Sequence, residues 1–306
     1  MAHWIHTRIP EPVMRLSRPT SNSAESKRWF SIPLPLLILA MALPSMAGAQ
    51  WTEPPREGWA SLSVYHQDTR EVFGVEGDRT IFPGRGRSVV TAAYLTLASG
   101  LADGVDAWIQ LPAQRLRFDD VTGDETRSGI GDIRVYLRAR PLEMAGSPIP
   151  VALRVGVKLP VGDFDVGSGL IPLGDGQRDW EVIVEGGHSF HPHPLYAMGW
   201  VGYRWREALE PGRTEFGNER FFHAALGGEA GRLGFRLAAD GWFGGTPLLN
   251  ALRARGAERE ILRLAPSLLV GWGPGQVEVG ARRPFRGRNL PAGTDLVLGY
   301  FTRYGF

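Results

Sequence analysis

The chain has 306 residues, with 34 basic and 32 acidic side chains, 40 glycines, 10 tryptophans and no cysteine. Lacking disulfides, it must hold together by packing or by backbone pairing. The formal charge of +2 belongs to the first 49 residues; residues 50–306 carry 29 basic against 30 acidic groups, which argues against a nucleic-acid surface.

The N-terminus carries an export signal. Lys27 and Arg28 form a positive flank, Ile32 to Leu43 an apolar core, and Ala47-Gly48-Ala49 a small-residue cleavage site before Gln50. Residues 1–49 are therefore expected to be a cleaved signal peptide, with Met1 and Met14 both open as starts. Pro33 and Pro35 interrupt the apolar run, and no later stretch supplies the roughly 20 apolar residues of a membrane helix. Residues 50–306 are expected to form a single domain.

From there the chain alternates polar and apolar residues, without a helical period. Twelve strands are predicted near 58–67, 87–99, 105–117, 130–141, 149–161, 179–190, 195–206, 219–229, 232–243, 260–272, 276–285 and 294–306; ten or fourteen stay open. Short turn sequences (Asp103-Gly104, Ala145 to Pro148, His191 to Pro194, Ala230-Gly231, Gly273-Pro-Gly275) alternate with long loops near 68–86, 118–129, 162–178, 207–218, 244–259 and 286–293. Short turns on one rim and long loops on the other define an all-β fold, an antiparallel up-and-down transmembrane β-barrel of about 12 strands.

The strands have two faces. Ile133, Val135 and Leu137 alternate with Asp132, Arg134 and Arg138; Leu153, Val155 and Val157 with Arg154 and Lys158; Trp180, Val182 and Val184 with Glu181 and Glu185. Phe235 and Leu237 alternate with Arg236 and Asp240, and Leu262 and Leu264 flank Arg263. An arginine facing lipid costs roughly 2–4 kcal/mol at midplane, so these charges are assigned to the lumen. Trp180, Trp200, Trp272, Tyr300, Tyr304 and Phe306 are candidates for interface girdles. The last strand, Asp295 to Phe306, puts Leu296, Leu298, Tyr300, Tyr304 and Phe306 on one face and Asp295, Gly299 and Arg303 on the other. With its terminal Phe306 it resembles the C-terminal signal of bacterial outer-membrane barrels, which the barrel-assembly machinery reads through Tyr300, Tyr304 and Phe306.

The middle third carries a further resemblance. Ser128-Gly-Ile-Gly-Asp132 opens a strand, Val157-Lys158-Leu-Pro-Val-Gly-Asp163 closes one, and Leu173-Gly-Asp-Gly-Gln-Arg-Asp179 ends a loop. Over about residues 128–206 this is similar to the outer-membrane family named for the meta-pathway of phenol degradation. The resemblance implies an outer-membrane barrel that transports small hydrophobic or aromatic solutes. No separate N-terminal plug is expected, because about eight residues separate Gln50 from the first strand; a plug would have to come from loop 162–178.

Within this frame Asp132 is expected to pair with Arg154 or Arg138, and Lys158 and Asp163 to tie the third long loop to the wall. Asp163 and Asp165 begin like a calcium loop, with Asp175 and Asp179 beyond. Gly174 stands where the closing Glu would be, so no metal is assigned. Neighbours His188 and Ser189 point to opposite faces, so no catalytic residue, enzyme activity or cofactor is expected. Two functions stay open: a passive channel or carrier for a small apolar solute, or a closed barrel with a structural or partner-binding role. Arg79, Arg85 and Arg87, with Arg253, Arg255 and Arg259, cluster at the predicted external rim, as suited to the phosphates of outer-membrane lipid and lipopolysaccharide as to solutes.

Overall fold

The computed structural model describes residues 52–147, 149–163, 173–208, 215–249 and 251–305; the predicted signal peptide, Asp165 and Phe306 lie outside them. Twelve strands build one wall: β1 (Glu57–Thr69), β2 (Arg87–Ala102), β3 (Val105–Asp120), β4 in two pieces (Gly123–Ile130 and Ile133–Ala139), β5 (Val151–Leu159), β6 (Gln177–Ser189), β7 (Leu195–Ala208), β8 (Glu219–Ala230), β9 (Leu233–Gly244), β10 (Glu260–Trp272), β11 (Gly275–Arg288) and β12 (Asp295–Gly305). Each strand pairs antiparallel with its chain neighbours, and β1 pairs with β12, so the sheet closes on itself. Closure gives every strand two partners, which lipid demands because it offers no hydrogen bonds of its own.

The alternation of side chains sets the two faces. Leu237, Leu264, Leu268, Leu296 and Leu298 are exposed on the outside, as are Val155 and Val184. That band suits lipid and would be a large apolar patch on a soluble protein. Trp180 and Trp205 are opposite one another near the long-loop rim, both half exposed. Trp272, Tyr300 and Tyr304 lie at the short-turn rim, where the Tyr304 hydroxyl crosses Gly58 to donate to the Ala98 carbonyl at 2.8 Å. Trp200 does not join either girdle. Its register partners Glu185 and His223 face inward, and its ring stacks on His223 at 5.3 Å.

The short turns use Gly104, Gly231 and Gly273 at φ of 74°, 65° and 57°, where a Cβ is strained. One loop differs from the sequence expectation. Residues 118–129 are mostly strand, because β3 and the first piece of β4 run on as a hairpin that turns at Val121-Thr122. This first piece of β4 pairs with β3 alone; only Ile133–Ala139 also pairs with β5. Its residues are exposed or half-buried throughout, so no apolar alternation marks it. At the same rim, Glu71–Phe73, Arg79–Ile81 and Leu290–Pro291 form a small sheet over a core of Val72, Phe73, Phe82, Leu290 and Ala292.

Candidate functional site: the lumen

The inner face is divided. From β3 to β8 it is filled by buried charge. The three motif segments converge there: Lys158 Nζ lies 3.1 Å from Asp132, 2.9 Å from Asp175 and 3.0 Å from Asp179. An ammonium carries three donors on one point, which matches three converging carboxylates better than a flat guanidinium would. Asp132 also accepts from the backbone N–H groups of Gly162 and Asp175, at 3.2 and 3.0 Å. The glycines follow from this approach: a Cβ on Gly174 would stand 2.4 Å from Asp132 Oδ1. Beyond the knot, Arg206 reaches Asp175, Asp179 and Glu219, while Arg204 reaches Glu181 and Glu219. Arg134 stands 3.7 Å from Glu181, which also accepts from the Tyr136 hydroxyl.

Nearer the short-turn rim, Arg138 pairs with Asp106 and Glu185, and Arg154 with Glu185. Both guanidinium groups lie over the Trp108 ring, at 4.6 and 4.5 Å. Asp132 is therefore partnered by Lys158, not by Arg154 or Arg138. Those arginines sit lower on the wall, where Asp106 and Glu185 are the carboxylates in reach. The chain entering β1 closes over this end: Glu53 is buried, its N–H donates to Asp106 at 3.1 Å, and its carboxylate meets Arg303 at 3.2 Å. Burial pushes the Glu53 carboxyl above its ordinary range, with Arg303 opposing.

From β9 through β12 to β1 the inner face is different. At mid-height it carries small groups: Ala238, Ala265, Gly280, Gly299, Ser61 and Ser63. Ser61, Ser63, Ala265 and Gly280 stay half-buried, and so do Tyr65, Glu278 and Arg236. The charges of this side pair locally: Arg236 with Glu278, Arg263 with Asp240, and Arg282 with Asp295. Aromatic rings flank these small groups, in the pairs Tyr65–Tyr94 at 5.7 Å and Trp59–Phe301 at 5.7 Å.

Two long loops turn inward at their ends. The Leu173 carbonyl accepts from the Gln114 amide, and the Leu173 side chain leans on Gly129. Phe216 is held by Gln177 in both directions, its N–H donating at 2.7 Å and its carbonyl accepting at 3.2 Å. Of the loop motif, Asp163 pairs with Arg127, whereas Asp175 and Asp179 belong to the Lys158 knot. Of the six arginines placed at the external rim, Arg85, Arg253 and Arg255 are exposed and three others have a carboxylate within reach. Arg79 pairs with Glu71, Arg87 pairs with Asp68, and Arg259 is buried beside Glu219. Asp106, Arg204, Arg206, Glu219 and Arg282 are lumen charges that the sequence reading missed, although each lies at an inward parity of its strand.

No family model and no curated protein matches the chain. Solved structures do. An outer-membrane channel from Pseudomonas putida F1 superposes with a TM-score of 0.67 at 14% identity, covering 85% of this chain and 100% of that one. The β domain of the Bordetella autotransporter BrkA aligns at TM-score 0.47 and 12% identity, over 82% of this chain and 100% of its own. The monoaromatic hydrocarbon channel CymD aligns at 0.40 and 9%, over 83% and 89%. The fold, closed by twelve antiparallel strands, is that of an outer-membrane β-barrel, as in the Pseudomonas putida structure.

Proposed function

We propose that the chain is exported to the outer membrane, with its long loops outside, and acts there as a passive channel for a small, hydrophobic or aromatic solute. The observation that carries this reading is the divided lumen. Buried ion pairs fill one side, while the other carries small and half-buried residues flanked by aromatic rings. Because the lumen charges pair with one another, an ion would meet no unopposed ring of charge, whereas an apolar solute would meet Tyr65, Trp59 and Phe301. The motif segments around Lys158 support membership of the family named for the meta-pathway of phenol degradation. The Pseudomonas putida structure of the same fold is itself an outer-membrane channel. Folding through the barrel-assembly machinery and contact with lipopolysaccharide belong to the same reading.

The test is entry of a small aromatic solute into liposomes carrying the folded protein. Entry should exceed that of protein-free liposomes and should be slower for a large solute. A second reading, a closed barrel with a structural or partner-binding role, is favoured by the inward-turned loop ends and by Glu53 at the opposite mouth. Entry no faster than through bare lipid would select it.

A further inference from the structure

Phe216 sits in a slot lined by two buried arginines. Its ring lies 4.0 Å from the Arg259 guanidinium and 5.3 Å from that of Arg206. Trp242, on the inner face of β9, lies 5.4 Å from Arg259 and extends the aromatic surround. The walls are fixed from elsewhere. Arg206 is held by Asp175, Asp179 and Glu219, Arg259 stands 3.6 Å from Glu219, and both arginines are buried. Phe216 itself comes from the loop between β7 and β8, and Gln177 holds its backbone. The slot lies at the long-loop mouth, where a solute from outside would enter.

We infer that this slot is a binding site for a flat, neutral, electron-rich aromatic ring, and that Phe216 is the chain's own stand-in for that ring. The chemistry follows from the walls. A guanidinium over a ring face is attracted by the ring quadrupole, and more strongly when the ring is electron-rich. Because Asp175, Asp179 and Glu219 stand beside the two guanidinium groups, an anionic ring would meet repulsion as well as attraction and gains little over a neutral one. The solute takes the place of Phe216 and leaves the ion pairs in position. The inference rests on the channel reading for the solute's route, but binding and passage are measured separately.

The experiment is equilibrium binding of anisole, nitrobenzene and cyclohexanol to the folded protein in detergent, for the wild type, Phe216→Ala and Phe216→Ala with Arg259→Gln. Heat-modifiable gel mobility reports folding of each. Phe216→Ala should bind anisole about fivefold more tightly or better, with nitrobenzene weaker and cyclohexanol weakest; Arg259→Gln should remove the gain. Equal gains for anisole and cyclohexanol, or no gain, would overturn the slot. If Arg259→Gln fails to fold, the order of the three probes on Phe216→Ala alone decides. Liposome entry of anisole in the wild type is read beside it. Entry without a Phe216→Ala gain leaves the channel and removes the slot, whereas a gain without entry does the reverse.

Discussion

Lys158 sits where three carboxylates meet, and it is the only lysine after residue 49. Replacing it by Met leaves Asp132 and Asp179 buried beside the half-buried Asp175, with no ammonium between them. The expected loss is about 3–5 kcal/mol, read as an earlier urea midpoint for loss of heat-modifiable mobility. A midpoint within experimental error of the wild type would contradict the knot. Gly174→Ala should loosen the same knot from the backbone side, since its Cβ would meet Asp132 and the Gly162 carbonyl. Limited proteolysis should then cut loop 160–176 faster. At Glu53 the sign is set by burial: an acid whose folded pKa is raised costs stability once pH exceeds its unfolded value. Docking of this segment should therefore be firmest in acid and weaken as pH rises through the ordinary carboxylate range. Glu53→Gln should flatten that dependence, measured by proteolytic protection of residues 52–56.

At the scale of the element, the strands were legible because lipid imposes one rule on every outward position. Eleven of the twelve predicted wall strands need only small boundary changes; the fourth splits at Gly131-Asp132. The hairpin of β3 and β4 was hidden because it stands past the end of β5, where neither face is required to be apolar. Trp200 was misplaced for a related reason: an aromatic near a strand end fits a girdle or a lumen equally well, and only register decides. The pairing of Asp132 was out of reach for the sequence because it depends on the height of each inward residue and on where a loop returns. The outward rule itself can be tested. Leu237→Arg, at the middle of β9, should cost about 2–4 kcal/mol on urea unfolding in lipid, and Trp272→Arg, at the rim, about 0–1 kcal/mol. Equal costs would mean that β9 does not cross the apolar layer at that height.

Seen whole, the molecule is a closed wall with an asymmetric interior. Buried ion pairs on the β3 to β8 side stiffen the barrel and anchor two long-loop ends, while the β9 to β1 side carries small groups at mid-height. A twelve-strand barrel is narrow enough that this division decides whether anything passes. The most direct measurement is single-channel conductance in planar bilayers, with Ser63→Trp beside the wild type. Stable open steps in the wild type, reduced in Ser63→Trp while both remain folded, are the predicted result. A folded wild type that stays silent, or a Ser63→Trp variant that conducts as well as the wild type, would contradict a passage along the β9 to β1 side.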